Sequence, residues 1–175
     1  MFSPDIHEKY NTLYRFLLPI KRVQLELQYV WAQKVRSMKH LGHEPVFRLT
    51  LQLRQHMSFL IDNLYQYLQV DVLESQWSKL VDGVQASRDF EEVRILHDRY
   101  LDSVIEQCFL NLPDVLKALQ GVLHMCSGLC RLLRGIDEEQ MKNRSFEEQF
   151  WKLKVNFERQ SNAVFTLLSN FKNNH

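Results

Sequence analysis

Five Gly and four Pro among 175 residues leave few places for tight turns, so a protein of many short strands is disfavoured. Cysteine is scarce too. Its three copies, Cys108, Cys126 and Cys130, are odd in number and lie in apolar helical stretches. They read as small buried hydrophobes of a reducing, intracellular setting rather than as a disulfide framework. An excess of one charge is also missing: 22 basic and 21 acidic residues nearly cancel, which disfavours a general nucleic-acid or anionic-membrane binder. No 18 apolar residues run together, and the opening Met1 to Glu8 lacks the regions of a secretory leader. The length suits one domain with its own core. The expectation is an all-α protein, a single bundle of about six helices, with neither nucleic acid nor a membrane as partner.

Catalytic and cofactor signatures are missing as well. There is no glycine-rich phosphate loop of the Walker or dinucleotide type, so nucleotide binding by this chain is disfavoured. A di-iron bundle needs Glu-x-x-His on two helices, and no Glu here has His three residues later. The pair His7-Glu8 begins a zinc-protease pattern, but Asn11 occupies the second histidine position. Cys126 and Cys130 lie one helical turn apart on an apolar stripe while His124 points elsewhere, so packing is the reading rather than metal ligation. His97 and Asp98 are consecutive and diverge by about 100° on a helix, which ill suits a base with its orienting carboxylate. No catalytic residue, metal or cofactor is expected.

Apolar periodicity fills the chain instead. Ile6, Tyr10, Leu13, Leu17, Ile20, Leu27 and Trp31 recur at three- and four-residue spacing, predicting a helix over roughly 5–40 that Pro19 kinks or, as a second choice, breaks. Lys39 to Pro45 reads as a loop, and a second helix follows with Val46, Leu53, Met57, Ile61, Leu64 and Leu68 on its inner face. Asp71 and Glu74 have capping-box spacing, predicting a short hinge at Gln69 to Asp71 and a third helix from Val72 to near Ser87. Asp89 with Glu92 predicts a fourth helix, whose stripe runs from Phe90 through Val93, Leu96, Leu101 and Val104 to Cys108. Pro113 opens a fifth, residues 134–144 form the longest connection, and Ser145 with Glu148 opens a sixth.

Three stretches carry a resemblance. Phe59, the run Asn63-Leu64-Tyr65-Gln66-Tyr67-Leu68, the run Asp71-Val72-Leu73-Glu74 and Trp77 follow the pattern F…NLQYYL…DVLE…W. YNTLYRFLLPIKRVQLELQYVW, Tyr10 to Trp31, places Leu-Leu before a basic pair, with a Trp later. RDFEEVRILHDRYLDSVIEQCFL, Arg88 to Leu110, contains a His-Asp-x-aromatic-Leu helix in His97, Asp98, Tyr100 and Leu101. Together they span about the first two thirds of the chain, which resembles the γ-tubulin complex component family. That resemblance implies part of a helical C-terminal domain that binds γ-tubulin. It implies that contacts with other components of the complex are made by an N-terminal domain outside these 175 residues. The implied setting is the cytoplasm and cytoskeleton, at a microtubule-organising centre such as the centrosome or spindle pole, and the implied role is non-enzymatic support of microtubule nucleation.

The resemblance is densest at the hinge, and polar or aromatic positions flanking its apolar stripe are the candidate γ-tubulin contacts: Arg54, Asn63, Tyr67, Gln69 and Glu74. Core support is the competing reading for Asn63 and Tyr67. Charge is uneven, with Lys34, Arg36, Lys39, Arg48 and Arg54 facing only Glu44 between 34 and 56, while nine acidic residues dominate 71–106. Such runs are usually solvated helix faces, and a polarised docking surface is the sharper alternative. The competing function is an unrelated helical adaptor that takes a partner helix in an apolar groove. An enzyme with a site in the bundle core ranks below both.

Overall fold

A computed structural model describes residues 4–35, 44–135, 139 and 143–173. Six α-helices and two π segments appear among these residues, and no strand: α1 (Pro4–Val30), π1 (Trp31–Val35), α2 (Pro45–Gln66), π2 (Tyr67–Glu74), α3 (Ser75–Ala86), α4 (Phe90–Gln107), α5 (Pro113–Arg134) and α6 (Arg144–Asn173). Three of the four prolines are the first residues of helices α1, α2 and α5, where a missing N–H costs nothing because no carbonyl precedes it in the helix. The fourth, Pro19, lies inside α1, which runs through it without the break considered above. Of the expected first helix, 36–40 lie outside the described residues, as do 39–43 of the first loop and most of the connection 134–144.

Two helix starts depart from expectation. The hinge at Gln69 to Asp71 does not exist: Gln66, Glu74 and Ser75 all have helical backbone angles, and π2 joins α2 to α3 continuously. Neither end of π2 carries a side-chain cap, and the Ser75 amide donates to the Val70 and Val72 carbonyls. Capping-box spacing at Asp71 and Glu74 therefore opens nothing, because the amides it would satisfy are already bonded within the rod. At α6 the cap is Asn143, whose Oδ1 accepts from the Ser145 amide at 3.0 Å. Ser145 lies inside the first turn and accepts from the Gln149 side-chain amide at 3.3 Å, while Glu148 pairs with Arg144 at 3.1 Å. The expected start at Asp89 holds. Its backbone is extended (φ −140°, ψ 162°) and its side chain accepts from the Glu92 amide at 2.8 Å, while Glu92 reaches back to the Arg88 amide at 3.3 Å and the Ser87 hydroxyl at 2.9 Å.

The helices group into two compact units. The first comprises residues 1–19 and 63–113: the start of α1, the end of α2, π2, α3 and α4. Ile6, Leu13, Phe16, Leu68, Val72, Leu80, Leu101, Val104 and Cys108 are its buried apolar side chains. Phe90, expected on the inner stripe of α4, is instead 76% exposed, since it opens the helix one residue after the cap. α1 is tied to α4 by Lys9, whose ammonium lies 2.8 Å from Asp98 and 2.7 Å from Asp102.

The second unit comprises residues 20–62 and 114–175: the rest of α1, π1, most of α2, α5 and α6. Phe47, Met57, Ile61, Val122, Cys126, Leu129, Cys130, Phe150 and Phe157 are almost wholly buried. Gln24 donates to Asp62 at 2.7 Å, Ser127 donates to Glu26 at 3.1 Å, and His56 meets the ring of Phe157 edge-on at 5.3 Å. α5 carries Gly121 and Gly128 toward α6. A Cβ built on Gly121 would lie 2.8 Å from the Gln160 side chain, and one on Gly128 would lie 3.1 Å from Leu153. Deletion of those two Cβ atoms lets the helices approach closely.

Candidate functional site

The stripe through π2 explains why an α-helix widens there. Leu64, Leu68, Val72, Gln76 and Leu80 recur every four residues, and all are buried or half-buried. In an α-helix of 3.6 residues per turn, each step of four overshoots a full turn by about 40°, so the stripe would wind off the core face. Widened turns with i to i+5 bonding absorb the overshoot, and the rod keeps one face inward from α2 to α3.

The widening delivers Tyr67 to the end of α4. Its hydroxyl donates to the Gln107 carbonyl at 3.1 Å, one of the last-turn carbonyls that a helix cannot satisfy internally. Burial, with Cys108 and Asp71 nearby, pushes that hydroxyl above its ordinary value, which keeps it protonated as a donor. Beyond α4 the chain closes in a Schellman turn: the Leu110 amide donates to the Ile105 carbonyl at 3.1 Å and the Phe109 amide to Glu106 at 3.0 Å. The left-handed position that such a turn requires is held by Phe109 (φ 59°), where glycine is the usual occupant. Its ring stacks on Tyr67, with centroids 6.0 Å apart and planes at 17°. Two uncommon backbone states, a π segment and a left-handed aromatic residue, thus support each other in the first unit.

Around this support lies an exposed surface. Val70 is 47% exposed and Trp77 56%, and Asn63, Asp71 and Glu74 face solvent. Trp77 meets Tyr100 edge-on at 6.1 Å, Tyr100 lies 6.4 Å from the His97 ring, and the Tyr10 hydroxyl is 2.9 Å from His97 Nε2. Large aromatic side chains that stay half-exposed while locked by neighbours are the usual anchors of protein interfaces.

The five candidate contacts divide between the units. Asn63, Tyr67, Gln69 and Glu74 belong to the first, with Asn63 and Glu74 exposed, Gln69 half-buried and Tyr67 engaged as described. Arg54 belongs to the second and is only 8% exposed. Its Nε and Nη2 donate to the Leu27 carbonyl at 3.4 and 3.2 Å, near the C-terminus of α1, and its guanidinium lies 4.9 Å from the centre of the Trp31 ring. Burial, opposed by Asp62, lowers its pKa from the ordinary arginine value. Sequence reasoning missed Gln107 and Phe109, because a left-handed residue other than glycine leaves no compositional mark. It also missed Val70, because the inner stripe was phased as two helices rather than one.

The cysteines are free and buried. Burial pushes the Cys108 thiol up to about 12 and the Cys130 thiol, with Glu26 adding to the effect, up to about 11, so neither offers a thiolate at neutral pH. Among the described residues, no three His, Cys, Asp or Glu side chains group as metal ligands, and no helix is long and apolar enough to cross a membrane.

Fold and site together define an all-α scaffold. Residues 1–175 match the family described as gamma tubulin complex component C-terminal. The chain is 40% identical to human gamma-tubulin complex component 4 over 177 residues, covering 99% of this chain and 26% of that protein. It is 31% identical to the Arabidopsis thaliana component 4, covering 98% of this chain and 24% of that one, and 37% identical to the Arabidopsis component 2 over 72% of this chain and 19% of that one. The chain belongs to the γ-tubulin complex component family, and it spans about a quarter of the length of the component 4 relatives. Membership extends the likeness past Leu112 to the whole chain and removes the reading of an unrelated helical adaptor.

Proposed function

We propose that this chain is a γ-tubulin-binding portion of a γ-tubulin complex component, a non-enzymatic support for microtubule nucleation. Its contact surface is the outer side of π2 with the end of α2 and the start of α3: Asn63, Gln69, Val70, Glu74 and Trp77. Tyr67 holds that surface from beneath, and Arg54 fixes the second unit. The observation that carries the reading is the π segment itself. Widened turns of this kind are frequent at functional sites, and this one coincides with the densest part of the family pattern while leaving apolar and aromatic side chains open to solvent.

In this role the rigid helical face grips one γ-tubulin, and other components of the complex hold further copies beside it through regions outside these 175 residues. Placing several γ-tubulins together raises their local concentration in the geometry of a microtubule end. The setting is the cytoskeleton, at a microtubule-organising centre such as the centrosome or spindle pole. The partners are γ-tubulin and sister components, with no cofactor, nucleic acid or membrane.

The test is retention of purified γ-tubulin on the immobilised chain, compared with the Glu74→Lys/Trp77→Ala double variant. Retention by the unmodified chain and at least a tenfold loss in the variant is the expected result. Equal retention by both discards this surface, and no retention by either discards γ-tubulin binding by these residues.

A further inference from the structure

The second unit carries an open groove of about 790 Å³ between α5 and α6, within the range of cavities that hold ligands. Its floor is apolar: Phe146 is buried, and Leu132 and Leu153 are half-buried around Gly128. Its rim carries the cations Arg131 and Lys152, both exposed, and among the described residues no Asp or Glu contributes to the lining.

Several cations of the same helices are engaged, while Lys117 and Arg159, like the groove's pair, make no ion pair among the described residues. Arg144 pairs with Glu148 at 3.1 Å, Lys154 pairs with Glu158, and the Arg134 guanidinium lies over the Tyr29 ring at 5.7 Å. Arg131 and Lys152 make no ion pair among the described residues. Two cations flanking an apolar floor, without a counter-charge among the described residues, complement a chain that bears carboxylates on either side of a bulky apolar residue. A uniform polyanion matches poorly, since it would leave the floor unfilled and meet only two cations in a protein of nearly balanced charge.

We infer that the groove between α5 and α6 docks an acidic peptide segment of a partner protein, with an apolar side chain seated on Phe146, Leu132 and Leu153 and carboxylates paired with Arg131 and Lys152. The site belongs to the second unit and does not depend on the γ-tubulin reading. Charge pairs at an exposed rim act mainly through encounter rate, so binding weakens as salt rises, while the apolar seat confers selectivity.

The experiment is fluorescence anisotropy of the full 175-residue chain with a labelled hexapeptide, Glu-Glu-Leu-Phe-Asp-Glu, at low and at physiological salt. The expected result is saturable binding at low salt that weakens with added salt. Affinity should fall at least tenfold in Arg131→Glu/Lys152→Glu, and by a smaller factor in Arg131→Gln/Lys152→Gln. It should be unchanged in Arg144→Glu, which lies outside the groove. A peptide with Gln and Asn for its acids, or with Ser for Leu and Phe, should bind at least tenfold more weakly. Circular dichroism on each variant confirms that the helices persist. Absence of saturable binding, equal affinity in the double-reversal variant, or equal affinity for polyglutamate overturns the proposal. Binding that appears only after Asp137, Glu138 and Glu139 are neutralised assigns the groove to the chain's own acidic run and overturns a partner in trans.

Discussion

Arg54 shows how one side chain can be polar and still belong to the interior. Replacing it with Met keeps much of the stem's volume but leaves the Leu27 carbonyl without its two donors. Because a hydrogen bond from a charged donor contributes about 1.5–3 kcal/mol, Arg54→Met should destabilise by about 2 kcal/mol. In thermal melts that corresponds to a midpoint lower by about 4–8 °C for a chain of this size. Lys9 gives a different, pH-dependent signature. Hydrogen bonds that its ammonium donates to Asp102 and then Asp98 raise it above the ordinary lysine value, and the bond accepted from Lys9 lowers the Asp98 carboxyl. A raised lysine stabilises fully below its unfolded value of 10.5, and that contribution is lost as pH climbs through the folded value. A lowered carboxyl stabilises above its unfolded value of 3.8, and that contribution is lost as pH falls through the folded one. Asp98→Asn should therefore lower the midpoint by about 1–3 °C at neutral pH, the scale of a partly exposed pair, with the difference from the unmodified chain closing in acid. Asp89 was legible as a helix cap because capping is decided within four residues. The inward turn of Arg54 was not, because the Leu27 carbonyl it reaches is 27 positions away in sequence.

At the scale of elements, α4 and π2 stand or fall together. The left-handed conformation of Phe109 costs about 1–2 kcal/mol relative to glycine, and its stack on Tyr67 returns about 0.5–1.5 kcal/mol. Phe109→Ala keeps the backbone cost and loses the stack, whereas Phe109→Gly loses both. The glycine variant should therefore be the more stable of the two by about 1 kcal/mol, read from urea unfolding midpoints at equal slope. The same element shows where sequence reading stopped. Asp71 and Glu74 have the spacing of Asp89 and Glu92, yet only the second pair caps a helix. The deciding signal was the fourfold recurrence from Leu64 to Leu80, a pattern that a strict α period splits into two helices. At α6 the local rule was right in kind and misplaced by two residues, since Asn143 competes with Ser145 for the same task.

For the molecule as a whole, the all-α class was fixed by the poverty of Gly and Pro and by long apolar periods, which is information spread through every segment. Which helices share a core was not legible, because both α1 and α2 divide between the two units: α1 divides at Pro19, which the sequence does mark, but nothing in the sequence of α2 marks its division after Asp62. One prediction belongs at this scale. If these residues grip γ-tubulin singly, an excess of the chain should occupy γ-tubulin without aligning it, so microtubule nucleation by assembled complexes should fall as the chain is titrated in. Counting microtubules per field against chain concentration checks it, and the Glu74→Lys/Trp77→Ala variant should lack the effect.

The glycines of α5 have a mechanical corollary. Gly121 receives Gln160 and Gly128 receives Leu153, so the two notches and the two projections are each seven positions apart and run in opposite senses along the chain. A slip of α6 by a single turn would drive both projections against ordinary side-chain ridges at once. The two rods are keyed like a bolt in its ward, and they seat at one longitudinal setting.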